Sequence, residues 1–306
     1  MIETSEATPP HIGLALSGGG YRAAAFHLGV LRRLAEEKLL ERISVVSTVS
    51  GGSLATAAIM GASGNTWPSS KVFLDTVYPA VERLLTETDL FSLPTVIRSM
   101  LRLDLRLFRR RALVVASLLQ RRWGVTGMLK DLPESPIWWI NTTCLETGKN
   151  WRFSKRRMGD WVFGTHFEPS IKIAQAAAAS AAVPYVIGIL PLKLPKGGWF
   201  RTDPATKAPI EPIEPPVKSV RLWDGGAYEN LGLEPLMKEG RLVDCDVLLC
   251  SDASGAVTRY EWSSPFALLR GGLWSPRLLQ RTTPAFELGR KTPDHAYFNQ
   301  PLLAAA

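Results

Sequence analysis

The sequence predicts an α/β fold: a three-layer α/β/α sandwich around a largely parallel central sheet. Three observations lead there. Short β-branched or leucine-rich runs alternate with longer helical runs. Glycine clusters stand where two of those short runs hand over to a helix. The chain has 306 residues, of which 46% are hydrophobic, enough for one large domain with a substantial core. Strands are expected over 12–16, 43–49, 137–143, 151–154, 186–190, 220–223 and 247–251. Helices lie between them, and the crossovers are right-handed.

Ile12 to Leu16 reads as a short buried strand. Ser17-Gly18-Gly19-Gly20-Tyr21-Arg22 follows, then an alanine-rich helix from 23 to 38. Three glycines between strand and helix leave backbone N–H groups free to face an anion. In an acyl hydrolase such a loop is an oxyanion hole, each donor worth about 3 kcal/mol of barrier. The same residues also satisfy the dinucleotide pattern G-x-G-x-x-A. That fold asks for an acid at the end of the second strand, and Thr48-Val49-Ser50 supplies none.

The second strand ends at Thr48-Val49-Ser50-Gly51-Gly52, and Ser53, Ala55, Thr56, Ala57 and Ala58 come next. A serine on a tight strand-to-helix turn with small residues behind it is the form of a nucleophile elbow. There the hydroxyl stands above the sheet edge, close to the positive end of the new helix. Gly51 and Gly52 support that turn.

Further along, 220–223 reads as a strand ending on Asp224-Gly225-Gly226. With Gly225 and Gly226 beside it, the Asp224 carboxylate can approach Ser50 unobstructed and serve as a general base. An ordinary Asp-Gly turn has the same composition. Asn230 reads as the cap of the next helix. Asp252 ends the apolar run 247–251 and is a competing acid without flanking glycines.

Taken together, these motifs resemble the patatin-like phospholipases, whose pattern is G-G-G-x-R/K, then G-x-S-x-G, then D-G-G/A. The resemblance runs from about residue 12 to 252. It implies an oxyanion loop at Gly18, Gly19, Gly20 and Arg22, and a catalytic dyad of Ser50 and Asp224. It also implies a lipid or phospholipid substrate with no cofactor and no metal. Weaker matches are the Ala/Ser segment 176–184 and a hairpin over 143–153. Thr48 replaces the first glycine of G-x-S-x-G, and Ala23 replaces a glycine that often follows the basic residue. Thr48 fits if its Cβ points away from the elbow.

Four histidines offer other bases: His11, His27, His166 and His295. Only His295 follows Asp224, so Ser50, Asp224 and His295 would reproduce the chain order of an α/β-hydrolase triad. Against this, the elbow comes after only two strands, and His295 sits in a proline-flanked tail. His27 reads as a packing histidine inside the first helix.

Three cysteines exclude a disulfide framework, and no zinc-type spacing appears. The first ten residues lack a signal pattern. The apolar stretch 173–192 reads as a buried helix and strand rather than a membrane span. A cytoplasmic location is expected, with peripheral membrane contact left open. The net charge of +8 is concentrated in Arg98, Arg102, Arg106, Arg109, Arg110, Arg111, Arg121 and Arg122, opposed by Asp104 alone. With interleaved leucines this segment suits an anionic lipid surface, and equally a solvated helix face. No recognition motif accompanies it, so no nucleic-acid partner is expected.

A single domain is expected over 1–306. Within it, 63–132 forms a helical insertion or lid, 204–216 a surface loop, and 256–306 an irregular or helical extension packed on the core. The expected activity is that of a phospholipase A or lysophospholipase acting through an acyl-enzyme. A nonspecific carboxylesterase or triacylglycerol lipase with the same dyad, a catalytically silent binding protein of this fold, and a nucleotide binder are the alternatives.

Overall fold

The protein is described by a computed structural model over residues 10–87, 111–183, 187–237, 245–254 and 296–299. One end of the sheet is a block of five parallel strands in the order β12-β11-β1-β2-β3. They are β1 (Ile12–Leu16), β2 (Ile43–Val49), β3 (Ile137–Cys144), β11 (Val247–Asp252) and β12 (Ala296–Asn299). Alternate residues along a strand turn to opposite faces. Leu14, Leu16, Val46, Trp138 and Ile140 enter the main core with Leu28 and Leu31 of α1 (Gly20–Glu36) and Leu54 and Ile59 of α2 (Gly51–Ala62). Ala15, Val45, Trp139, Leu248 and Cys250 enter a second cluster with Leu231, Leu233 and Leu236. Burial on both faces is what an α/β sandwich with a parallel centre requires.

Helices close the main-core side. α3 (Ser70–Val72) runs through a π-wound stretch, Phe73–Val77, into α4 (Tyr78–Glu87), and α5 (Arg111–Arg122) packs against α6 (Ile173–Ser180). Of these, α3, α4 and α5 fall within 63–132, the stretch expected to form a helical insertion, and α6 lies outside it. Arg98, Arg102, Arg106, Arg109 and Arg110 lie outside the described residues, whereas Arg111 opens α5, and Arg121 and Arg122 are exposed near its end.

On the far side of β3 the sheet continues as an antiparallel arm through β4 (Lys149–Phe153), β5 (Arg157–Asp160), β6 (Gly164–Phe167), β8 (Trp199–Thr202) and β9 (Pro209–Pro212). Its strands β5, β6, β8 and β9 lie outside the strands expected from sequence. His166 stands in β6, and β9 lies inside the expected loop 204–216. The strand expected at 186–190 is instead β7 (Leu190–Lys193), where Leu190 and Leu192 face in and Pro191 and Lys193 face out. The tail beyond 256 contributes the strand β12.

The junction at β3 positions the site. β2 pairs with β3 in parallel up to Val49 opposite Asn141. β4 holds the other edge of β3, so β10 (Ser219–Asp224) takes the edge that β2 vacates and runs antiparallel, with Asp224 opposite Thr142. Two strands therefore meet end to end along one lane, their last residues paired to neighbouring positions of β3. The turns carrying Ser50 and Gly225 start at that meeting point.

Trp151 on β4 is fully buried and packs edge-on or tilted against Phe153, Phe163 and Trp199, with ring centroids 6.5, 5.3 and 5.8 Å away. Trp151→Ala is expected to destabilise the protein by about 3–5 kcal/mol, read as a lower urea midpoint.

Candidate active site

Ser50 is the one residue between the end of β2 and the start of α2, and it has φ 49° and ψ −111°. For a residue with a Cβ this conformation costs on the order of 1–3 kcal/mol and is held by its surroundings. Gly52 allows it: a Cβ there would stand 2.5 Å from Leu16 O, and the Gly52 N–H donates to Ser17 O at 3.2 Å. Gly51 is just as tightly placed, since a Cβ on it would collide with Gly20 O. The elbow and the β1–α1 turn are thus in main-chain contact. Ser50 itself is buried, at the N-terminus of α2.

Asp224 closes β10. Its main-chain N–H donates to Ala182 O at 3.0 Å, and its carbonyl accepts from Thr143 Oγ1 at 2.8 Å. Gly225 follows without a Cβ because one would stand 2.5 Å from Asn141 O and 3.1 Å from Val49 Cγ1. The carboxyl is buried, and that desolvation pushes its pKa up to about 6. Hydrogen bonding from the Ser50 hydroxyl and from the Gly226 N–H, at 2.7 Å to Oδ1, pulls the other way. Oδ2 is enclosed with no fully formed hydrogen bond among the described residues. A serine hydroxyl thus faces a desolvated carboxyl with one oxygen uncommitted.

The glycine loop borders the same space. A Cβ on Gly18 would collide with Asn230 Oδ1 and lie 3.1 Å from Ser50 Cβ. The Gly18 N–H is committed to Asn230 O at 2.9 Å, so it is not available to an oxyanion. Gly19 and Gly20 have φ 150° and 70° at the start of α1. No hydrogen bond engages their N–H groups among the described residues. Arg22 is exposed in the first turn of that helix.

The patatin-like phospholipase family model matches residues 14–237, more than half of the chain. The chain belongs to that family. Human GIVD cytosolic phospholipase A2 is similar in fold, with a TM-score of 0.54 and 16% sequence identity over 89% of this chain and 48% of that one. This protein therefore spans less than half the length of the human enzyme. VipD from Legionella pneumophila aligns over 96% of this chain and 62% of its own at 16% identity, with a TM-score of 0.42. No curated protein matches the chain by sequence.

Both departures from the patatin-like pattern have a place in the packing. Thr48 is fully buried, its Oγ1 accepting from Trp138 Nε1 at 2.9 Å and lying 2.8 Å from Ser53 Oγ. Its side chain is buried beneath the elbow, toward Ser53 of α2. Ala23 fills the space between the two turns: its Cβ would be 2.8 Å from one on Gly51 and 3.0 Å from one on Gly19.

Asn230, read above as a helix cap, is a site residue. It stands between Gly18 and Gly226, and its Nδ2 donates to Gly18 O at 3.4 Å and to Ser254 Oγ at 2.9 Å. Glu229 next to it is buried and pushed up to about 7 by desolvation. Its carboxyl takes the N–H groups of Leu231 and Glu234 and fixes the loop after Asp224.

The other candidate bases among the described residues lie elsewhere. His27 is fully buried, with Nε2 2.9 Å from Ser17 O and Nδ1 2.8 Å from Ser251 Oγ, and burial lowers its pKa to about 4. It is the packing histidine expected, seated beneath the glycine loop. His166 is buried against Trp199, and His11 lies at the foot of β1. His295 lies outside the described residues. Asp252 accepts from the Ser254 N–H at 2.8 Å and from its hydroxyl. Among the described residues no group of three or more His, Cys, Asp or Glu gathers to hold a metal, and no helix is long and apolar enough to cross a membrane.

Because the Asp224 pKa is raised above its ordinary 3.8, the folded state keeps a proton that the unfolded chain has lost. This residue's contribution to stability is therefore greatest below pH 4 and declines as pH rises through about 6. Asp224→Asn removes that dependence. From pH 4 to pH 7, thermal or urea unfolding should show the variant gaining on the wild type by on the order of 2 kcal/mol. A gap that does not change with pH would contradict the buried, ionising carboxyl.

Proposed function

We propose that this protein hydrolyses the carboxylic esters of lipids, with phospholipid or lysophospholipid as substrate, through a Ser50–Asp224 dyad. The observation that carries this reading is the desolvated Asp224 carboxyl facing the hydroxyl of a conformationally strained serine at a helix N-terminus. Family membership and the fold shared with a cytosolic phospholipase A2 support the substrate class.

Ser50 Oγ attacks the acyl carbonyl while its proton passes to Asp224. With a pKa near 6, Asp224 is ionised at neutral pH yet more basic than an exposed aspartate. The carbonyl oxygen gains negative charge as the tetrahedral intermediate forms. The Gly19 and Gly20 N–H groups receive it, with the positive ends of α1 and α2 adding to the field. Gly18 serves by its missing side chain, which lets the loop close onto Ser50. Collapse of the intermediate breaks the ester C–O bond, and the proton on Asp224 goes to the leaving alcohol. Asp224 then takes a proton from water as that water attacks the acyl-enzyme, and a second collapse breaks the Ser50 Oγ–acyl bond, returns that proton from Asp224 to Ser50 Oγ and frees the fatty acid. Every step uses the chain's own groups and water. Peripheral contact with the lipid surface through the arginine-rich stretch from Arg98 to Arg122 belongs to the same proposal.

Hydrolysis of mixed phospholipid micelles by the full chain tests this. Ser50→Ala and Asp224→Asn should each lose on the order of 1000-fold or more, whereas His295→Ala stays within about twofold of wild type. kcat/KM should rise with pH to a plateau, with its midpoint near 6. Loss of activity in His295→Ala with retention in Asp224→Asn would replace the dyad by a triad. A wild-type protein that cleaves esters of short, soluble acids but no phospholipid would place it with nonspecific carboxylesterases.

A further inference from the structure

The main-chain N–H of Ser50 donates to a side chain, Ser180 Oγ, at 2.9 Å. Ser180 is the last residue of α6 and is fully buried. Its own hydroxyl donates to Asn141 O at 2.7 Å, since a carbonyl only accepts. The 2.8 Å contact between Ser53 Oγ and Ser180 Oγ must then have Ser53 as donor. Ser53 in turn accepts from Thr48 at 2.8 Å, the shorter of the two contacts open to that hydroxyl, whose second acceptor is Trp139 O at 3.3 Å, and Thr48 accepts from Trp138 Nε1 at 2.9 Å. The hydrogens run one way, from Trp138 through Thr48, Ser53 and Ser180 to Asn141. Two residues past Ser180, Ala182 O accepts the Asp224 N–H at 3.0 Å. The segment 180–182 thus holds the backbones of both members of the proposed dyad.

We propose that Ser180 is a positioning residue that sets the Ser50–Asp224 separation, and that the Thr48 hydroxyl anchors Ser180 in that role. This rests on the reading of Ser50 and Asp224 as the reacting pair. Ser50 occupies a conformation that an amino acid with a Cβ leaves when nothing restrains it, and Ser180 Oγ is the restraint on its amide. The residues flanking Ser180, 176–179 and 181–182, are all alanine, so no neighbouring side chain in the segment can take over the bond. The outer half of the chain of hydroxyls exists because position 48 carries threonine where the family pattern has glycine. Glycine has no hydroxyl to place between the Trp138 indole and Ser53.

The test is the rate at which a long-chain fluorophosphonate labels the 306-residue chain, read with kcat, KM and melting temperature for each variant. Ser180→Ala should label Ser50 about 10- to 100-fold more slowly, with kcat reduced and KM within about twofold of wild type. Thr48→Val, which keeps the shape and removes the hydroxyl, should fall by roughly tenfold, and Thr48→Ser should recover most of that loss. Folded Ser180→Ala and Thr48→Val proteins that label at the wild-type rate overturn the proposal. So does an equal loss in Thr48→Val and Thr48→Ser, which makes the effect one of packing volume. If Ser180→Ala does not accumulate in folded form, the Thr48 pair decides. Failure of wild type to label at Ser50 removes the dyad reading itself and is thereby distinguishable.

Discussion

One edge of β3 is shared by two strands running toward each other, and the rest of the site depends on that. β2 leaves the edge at Asn141 and β10 arrives at Thr142, so Ser50 and Asp224, some 170 positions apart in sequence, come off adjacent rungs of one ladder. The opposite edge of β3 is filled by β4, which leaves β10 no other lane. Backbone hydrogen bonding, rather than any attraction between the two side chains, brings the hydroxyl and carboxyl together. The electrostatic cost of burying the carboxyl is set against a sheet that is already formed, which is why a pKa near 6 is tolerated.

Convergence at one point also requires that side chains be missing there. Gly18, Gly51, Gly52, Gly225 and Gly226 each stand where a Cβ would strike backbone or a neighbouring polar group. Around this bare centre lies a buried polar shell: Asn230 between the glycine loop and the aspartate turn, His27 under the glycine loop, and Ser180, Ser53 and Thr48 under the elbow. The apolar layers hold the sheet, and this shell orients what the sheet brings together.

Much of this was legible in the sequence because it is local. A β-branched run, a serine and two glycines are contiguous, and so are the triple glycine and the aspartate with its glycine pair. What was not legible depends on contacts between distant segments. Ser180 lies in an alanine-rich helix and carries no local mark of its polar role. Asn230 looks like a cap, yet the helix behind it, α7 (Glu234–Met237), begins four residues later. The outer strands were hidden by their prolines: Pro209 and Pro212 end β9, and Pro191 sits inside β7, which among the described residues is an edge strand paired to β10, where a missing N–H on the open side costs no ladder bond. The Gly18 N–H, counted in sequence among the oxyanion donors, is spent on Asn230 O, and only the folded backbone reveals that.

A crystal structure of the protein after reaction with a phosphonate ester tests the central claim most directly. Phosphorus should be bonded to Ser50 Oγ, with one phosphonyl oxygen within hydrogen-bonding distance of the Gly19 and Gly20 N–H groups and the Asp224 carboxylate against the adduct. Phosphorus on another residue, or on Ser50 with Asp224 turned away into the second cluster, would contradict it.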